Sequence, residues 1–285
     1  MNIIGLGSAG CAIADSFSKF PQYNIYKLDT GIKGEGCFNI PKQRNHQQYE
    51  ENCPSFAKQF ERIQGDSIFV LAGGGDISGC CLRVLQELSH NPTEILYIQP
   101  DIQLLSERQI KQERIVYNIL QEYARSGLVE RIYLISNLQM QEILGDVSIM
   151  EYYSAINQAI VNTFHMITVF NRSEAVLGTF TRPAEISRVS TVGILDLENG
   201  EESWFFNLKI PRDVVYYYGI NEEELKTDEK LFKNITTFVK NKVEDNLNVS
   251  YGVYKTNYEQ KYCYCVKHSS VVQSYIDILD DQDIS

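Results

Sequence analysis

Apolar residues in this chain fall into short blocks that end in glycine turns, each followed by apolar positions at helical spacing. The first block starts at Asn2 and runs into Gly5-Leu-Gly7-Ser8-Ala9-Gly10-Cys11. A second, 68–72, ends in Gly73-Gly74-Gly75-Asp76-Ile77-Ser78-Gly79, and Leu82, Leu85 and Leu88 then mark a helical face. Both read as strand, glycine turn and helix. The blocks Asn24–Asp29, 94–98 and 130–136 read as further buried strands, and 106–126 reads as a long amphipathic helix. The stretch 148–169 is the longest helical pattern and is apolar on more than one face, as in a helix that runs through the middle of a protein.

Other stretches follow different patterns. Residues 31–55 are polar and rich in Gly, Gln and Asn, which reads as a long loop, either at an active site or simply mobile, with a helix at 56–63 after it. Beyond 171 a polar loop around Arg182-Pro183 leads to strand-like runs at 190–197, 204–210, 247–255 and 259–267. The last two flank Asn257-Tyr258 and read as a hairpin, with a helix at 228–245 before them. The expected architecture is α/β: a Rossmann-like domain with a parallel sheet over 1–147, a central helix over 148–170, a smaller α+β domain over 171–277 and an acidic tail over 278–285.

Composition narrows the functional classes. The chain has 285 residues, 44% hydrophobic and 22% charged, which is ordinary for a globular protein. Its net charge of −11 argues against general affinity for nucleic acid or anionic membrane, because such contacts need clustered Lys and Arg. The N-terminus lacks the basic and apolar regions of a secretion signal, and no apolar run approaches ~18 residues, so a cytoplasmic location is expected. The seven cysteines lack zinc spacing and the four histidines do not cluster, so no protein-held metal is expected.

The glycine loops carry the candidate chemistry. Backbone N–H groups in such turns, and the helix N-terminus behind them, hold phosphate well. A glycine turn in an α/β protein also occurs without any ligand. Gly5, Gly7 and Gly10 have the G-x-G-x-x-G spacing, and Asp29 follows about twenty residues on, at the end of a second strand. That is also the dinucleotide fingerprint, with Asp29 on a ribose hydroxyl, so an NAD-dependent oxidoreductase is one reading. Against it stand the second glycine loop and the lack of a pair of groups suited to hydride transfer.

Two glycine loops in one domain, with a long helix after them, resemble the tubulin/FtsZ superfamily over nearly the whole chain. The stretch from Gly5 to Cys11 resembles that family's first nucleotide loop, and Gly73 to Gly79 its phosphate loop, which normally reads GGGTG[TS]G. Arg114 falls where FtsZ proteins place an arginine near the nucleotide, and Ser136-Asn137 where they have Pro-Asn. Tyr153 and Asn157 resemble the aromatic and amide residues that hold the guanine, on one face of the central helix. The resemblance implies GTP or GDP as ligand and head-to-tail self-assembly into filaments. In that family acidic C-terminal tails dock on a protein partner or on the next subunit, whereas an acidic tail by itself also serves solubility alone.

Two departures from the family bear on turnover. Asp76 stands where the family has threonine, adding negative charge beside the phosphates unless Mg2+ bridges the two. Where FtsZ carries N-x-D-x-x-D to position the attacking water, this chain reads Phe180-Thr-Arg182-Pro-Ala-Glu185. Only Glu185 remains to orient water, with Arg182 available to stabilise phosphoryl charge. Three functions remain open: a filament-forming GTPase with weak or altered hydrolysis, a degenerate relative without turnover that acts as a structural or regulatory partner, and the oxidoreductase.

Overall fold

The computed structural model describes residues 1–275, so the acidic tail expected at 278–285 lies outside the described residues. The chain forms two compact units, one of Met1–Val161 joined by the described residues from Val272, the other of Asn162–Val271.

The first unit is built on six parallel strands. In chain order its elements are β1 (Asn2–Leu6), α1 (Gly7–Phe17), β2 (Asn24–Asp29), β3 (Cys37–Asn39), α2 (His46–Glu51), α3 (Ala57–Phe60) and β4 (Ser67–Ala72). A 3-10 turn, Asp76–Cys80, leads to α4 (Cys81–Leu88), β5 (Thr93–Gln99), α5 (Glu107–Arg125), β6 (Arg131–Ser136) and α6 (Asn137–Leu144). The strand order is β3-β2-β1-β4-β5-β6, all parallel. Every residue of β1 is buried, as are the first five of β4, which is why these strands read as unbroken apolar blocks. The order reverses between β1 and β4. In such sheets, ligands bind beyond the carboxyl ends of the strands at that reversal. Both glycine loops leave the sheet there.

Backbone contact without side chains holds this centre together. A Cβ on Gly5 would lie 2.4 Å from Gly10 O, and one on Gly10 would lie 2.4 Å from Val70 O. Helix α1 therefore packs directly on β1 and β4. The stretch 31–55 is less irregular than expected, since β3 pairs with β2 and α2 forms with Asn45 as its cap, accepting from Gln48 N. Buried Tyr49 anchors α2. The expected helix at 56–63 shrinks to the single turn of α3. Helix α5 has a complete capping box between Ser106 and Gln109, which fixes its start.

Helix α7 (Tyr152–Asn171) begins four residues later than expected, after a turn in which Ser148 Oγ donates to Glu151 Oε2 at 3.2 Å. The second unit then contains β7 (Leu177–Gly178), β8 (Val189–Leu195), β9 (Glu202–Trp204), β10 (Asp213–Asn221), α8 (Glu222–Thr227), α9 (Leu231–Lys242), β11 (Asn248–Thr256) and β12 (Tyr262–Ser269). The hairpin expected at Asn257-Tyr258 does not form. Strand β10 lies between its two arms, antiparallel to β12 and parallel to β11. Eight of its nine residues are buried, and a strand buried on both faces takes the centre of a sheet. The strand expected at 204–210 reduces to β9, on the edge beside β8.

Half-buried Glu202 on β9 gathers a polar cluster. Tyr216 and Trp204 donate to it, Lys242 pairs with it at 2.9 Å, and Lys267 lies over the Trp204 ring at 4.0 Å. Burial alone would raise the carboxyl pKa, but the hydrogen bonds from Tyr216, Lys242 and Trp204 outweigh it and hold the group below its usual range. Among the described residues no helix is long and apolar enough to cross a membrane.

The glycine contacts make a paired prediction. Gly10→Ala is expected to lower the unfolding free energy by about 1–3 kcal/mol or more through overpacking against Val70. A Cβ on Gly75 meets nothing within 4 Å, so Gly75→Ala should stay within about 0.5 kcal/mol of wild type. Urea denaturation of both variants measures the contrast.

Candidate functional site

The two glycine loops touch. Gly7 has φ of +71°, and a Cβ there would lie 2.7 Å from the Ile77 side chain of the second loop. The residues most open to the crevice beside that contact are Ser8, Ala9 and Gly75, all exposed. Helix α1 has no side-chain cap and no acidic residue in its first turn. Its leading N–H groups thus have no capping side chain and form the positive end of the helix dipole. Cys11 is buried in the same turn with its thiol pushed up to about 12 by burial and by Asp29, so it is a packing residue that lends only its backbone.

Asp29 closes one side. Its carboxylate accepts from Ser8 Oγ at 3.2 Å and from Thr30 N at 2.7 Å. The second loop closes another. Gly74 has φ of +78° with Leu105 against it, and Gln109 Nε2 donates to Gly74 O at 3.4 Å. Ser78 is buried and donates to Gly75 O at 2.7 Å, bracing the 3-10 turn from within. Gly79 packs under α2, where a Cβ would lie 2.3 Å from His46 O.

Asp76 has a partner that no sequence spacing revealed. Arg108, in the first turn of α5, pairs with it at 2.7 Å. The negative charge that replaces threonine in this loop is therefore matched by a cation within the same unit. His46 from α2 stands close enough to feel both charges. Burial holds its imidazole below the usual range, and its buried Nε2 has no hydrogen-bond partner. Arg108 and His46 are the residues at this loop that sequence reasoning missed.

Arg114 points elsewhere on α5. Its guanidinium lies 4.9 Å from the centre of the Tyr275 ring. Asn137 opens α6, just after its cap Ser136, and is half-buried. Tyr153 is 68% exposed with its ring edge-on to Tyr152 at 5.2 Å, and half-buried Asn157 follows one turn later. Tyr152 ties the start of α7 to α6 by donating to Gln141 Oε1 at 3.4 Å. All these residues belong to the first unit. Arg182 and Glu185 belong to the second and are exposed in its loop before β8, near exposed Phe180, whose ring rests on Tyr217 at 6.0 Å.

Beneath the second loop lies a buried acid. Glu113 of α5 is fully buried and accepts from the Tyr97 hydroxyl at 2.9 Å. A Cβ on Gly73 would lie 2.2 Å from that hydroxyl and 2.6 Å from Glu113 Cγ. Burial raises the carboxyl to about 7, with Tyr275, Tyr97 and Arg114 pulling it back.

No protein-family model matches this sequence, and no curated protein matches it. Solved structures do. TubZ of Bacillus thuringiensis serovar israelensis, in a GTPγS-form protofilament, superposes with a TM-score of 0.75 at 16% identity, over 99% of this chain and 90% of that one. CetZ of Methanosaeta thermophila gives 0.71 at 12% identity, over 99% and 89%. The empty FtsZ dimer of M. jannaschii gives 0.68 at 12% identity, over 94% and 87%. The chain therefore has the tubulin/FtsZ fold over nearly its whole length.

Glu113 sets a pH dependence of stability. Its surrounding titratable groups are Tyr97 from β5, Tyr275 from the C-terminal segment and Arg114 on its own helix. Its folded pKa exceeds the unfolded value, so the native state binds the extra proton between about pH 4.5 and 7. Stability should fall as pH rises through that window, by up to about 3 kcal/mol. Glu113→Gln should flatten that limb of the curve, measured as denaturation midpoint against pH.

Proposed function

We propose that this protein binds a guanine nucleotide in the crevice between its two glycine loops and assembles head to tail into cytoplasmic filaments, with weak or altered GTP hydrolysis. The observation that carries this reading is the contact of Gly7 with Ile77 at the strand-order reversal, beside an α-helix whose first turn is uncapped. Such a cradle suits a chain of phosphates better than a single anion, because two separate sets of N–H donors converge on it. Gly7, Ser8 and Ala9 of the uncapped first turn would supply one set, with Gly5, Gly10 and Cys11 shaping the turn behind them. The loop Gly73 to Gly79 would supply the other through Gly74 to Ile77, since Gly73 N and Ser78 N already donate to Ile98 O and Gly75 O. Asp29 and Ser8 would meet the ribose side. Tyr153 can stack on a base, and the Asn157 amide can both donate to and accept from a guanine edge.

The Asp76–Arg108 pair sets the character of the site. Arg108 offsets the charge that would otherwise repel the terminal phosphates. Mg2+ arriving with a triphosphate would compete with Arg108 for the same carboxylate. Assembly is heterologous in this reading, one surface meeting a different one, which generates open filaments. TubZ, whose fold the chain shares, was solved as a protofilament. In the assembled state Glu185 and Arg182 would act on the neighbour's nucleotide, Glu185 on water and Arg182 on phosphoryl charge.

The second reading is a relative that binds but does not turn over. It is favoured by the composition of the stretch 176–188, which holds one carboxylate, Glu185, and exposes Val176 and Leu177 at β7 and Phe180 and Ile186 in the loop after it. A surface of this kind suits a permanent contact more than a hydrolytic one.

Sedimentation and phosphate release with GTP, GTPγS and no nucleotide separate the two. Pelleting that requires a GTP form, with slow phosphate release, is the expected result. Pelleting indifferent to nucleotide, without release, sinks the first reading in favour of the second. Asp76→Thr should tighten GTP binding by about tenfold, as one repulsive charge is removed and Arg108 is freed for phosphate. Arg108→Gln should weaken it. Looser binding in Asp76→Thr would instead make Asp76 itself a ligand of the nucleotide or its metal. Calorimetric titration reads both.

A further inference from the structure

Helix α5 has a buried polar stripe that the proposed nucleotide site does not use. Glu113, Tyr117 and Gln121 are one turn apart on a single face, and all three are fully buried. The C-terminal segment covers this stripe. After the whole second unit has been traversed, the chain returns to the first unit at Val272. Gln273 then pairs with Gln121 as a strand pairs with its neighbour: Gln273 N donates to Gln121 Oε1 at 2.8 Å, and Gln121 Nε2 donates to Gln273 O at 3.3 Å. Tyr275 is 3% exposed, with its ring edge-on to Tyr117 at 5.7 Å and its face against Arg114.

The far side of the same stripe touches the second glycine loop. Glu113 holds the Tyr97 hydroxyl, and both press on the Gly73 backbone, where there is no room for even a Cβ. Glu113 Oε2 and the Tyr275 hydroxyl are both buried and interact electrostatically, yet neither closes a hydrogen bond of normal geometry. Glu113 is thus braced by Tyr97 through one oxygen and left under-satisfied at the other, beside Tyr275. Withdrawal of Tyr275 would open that oxygen to water and free the side chain that supports Gly73.

We propose that Gln273–Tyr275 is a clasp on α5 whose docking positions the phosphate loop through Glu113, so that release of the C-terminal segment and anion binding at Gly73–Gly75 are energetically linked. A partner that draws on the acidic residues after Tyr275 would in this way change nucleotide affinity, and bound nucleotide would change the ease of release. The linkage is reciprocal by thermodynamic necessity. The nucleotide part rests on the reading of the loops given above, whereas the mechanical part does not.

Hydrogen exchange separates the two parts. In nucleotide-free full-length protein, Tyr275→Ala is expected to speed exchange of the Gly73–Asp76 amides by roughly tenfold, within the usual range for coupled sites. Tyr275→Phe, which keeps the ring contacts and loses only the hydroxyl, guards against a folding defect and should give a smaller increase at the same amides. Ile132→Val, a mild core truncation in β6, serves as the control for general loosening. Exchange at Gly73–Asp76 in both Tyr275 variants that matches wild type, or rises no more than in Ile132→Val, overturns the clasp. In a second arm GDP is titrated into wild type. Binding with added protection at Gln273–Tyr275 supports the linkage, and binding without it overturns the link between nucleotide and clasp in both directions. If GDP does not bind at all, the nucleotide reading fails while the exchange comparison at Gly73–Asp76 still decides the clasp.

Discussion

The arrangement of the first unit depends on a steric exclusion: at three glycines another group lies where a Cβ would otherwise be, backbone at two of them and the Ile77 side chain at the third. Gly5 lies on Gly10, Gly10 on Val70, and Gly7 against Ile77. These contacts set α1 against the sheet at the one point where the strand order reverses. They also bring two loops, far apart in sequence, to within van der Waals reach. Everything else at the crevice follows from this placement. Asp29 reaches Ser8 because β2 is the next strand over, and α5 reaches the second loop because β5 precedes it.

Much of this was legible in the sequence because glycine is informative where no other residue fits. The loops, the strands leading into them and the capped start of α5 all follow from local rules. The central strand of the second unit did not. Its run Val214-Val-Tyr-Tyr-Tyr218 alternates neither in polarity nor in size, and its neighbours in the sheet come from later in the chain. Two adjacent strand-like runs suggest a hairpin by default, and nothing local says that a third strand has entered between them. The Asp76–Arg108 pair was hidden for the same reason, since its partners are 32 residues apart. Glu113 and Gln121 read as ordinary polar positions on a long helix. What buries Gln121 lies 152 residues away.

Charge and burial divide the labour around the second glycine loop. On its open side Asp76 and Arg108 form a half-exposed pair, which water screens and side-chain motion can exchange, so it adjusts at little cost. On its closed side Glu113 sits in a dry pocket with its hydrogen bonds incomplete, where small displacements carry a large electrostatic consequence. The loop is thus held between an adaptable contact and a rigid one. Such an arrangement leaves the open face able to rearrange its charges while the closed face keeps the backbone in register.

Glu202 and its surroundings have a practical bearing on how the molecule can be observed. The chain has a single tryptophan, Trp204, and its indole is half-buried between the Glu202 carboxylate and the Lys267 ammonium. Near-ultraviolet emission excited at the red edge comes from this one ring, in the second unit, whereas the 18 tyrosines are spread through the chain. The protein therefore has an intrinsic optical label on the unit that does not hold the glycine loops. Changes in its colour or polarisation reflect events in the β8–β9–β10 neighbourhood, with no added dye to perturb them.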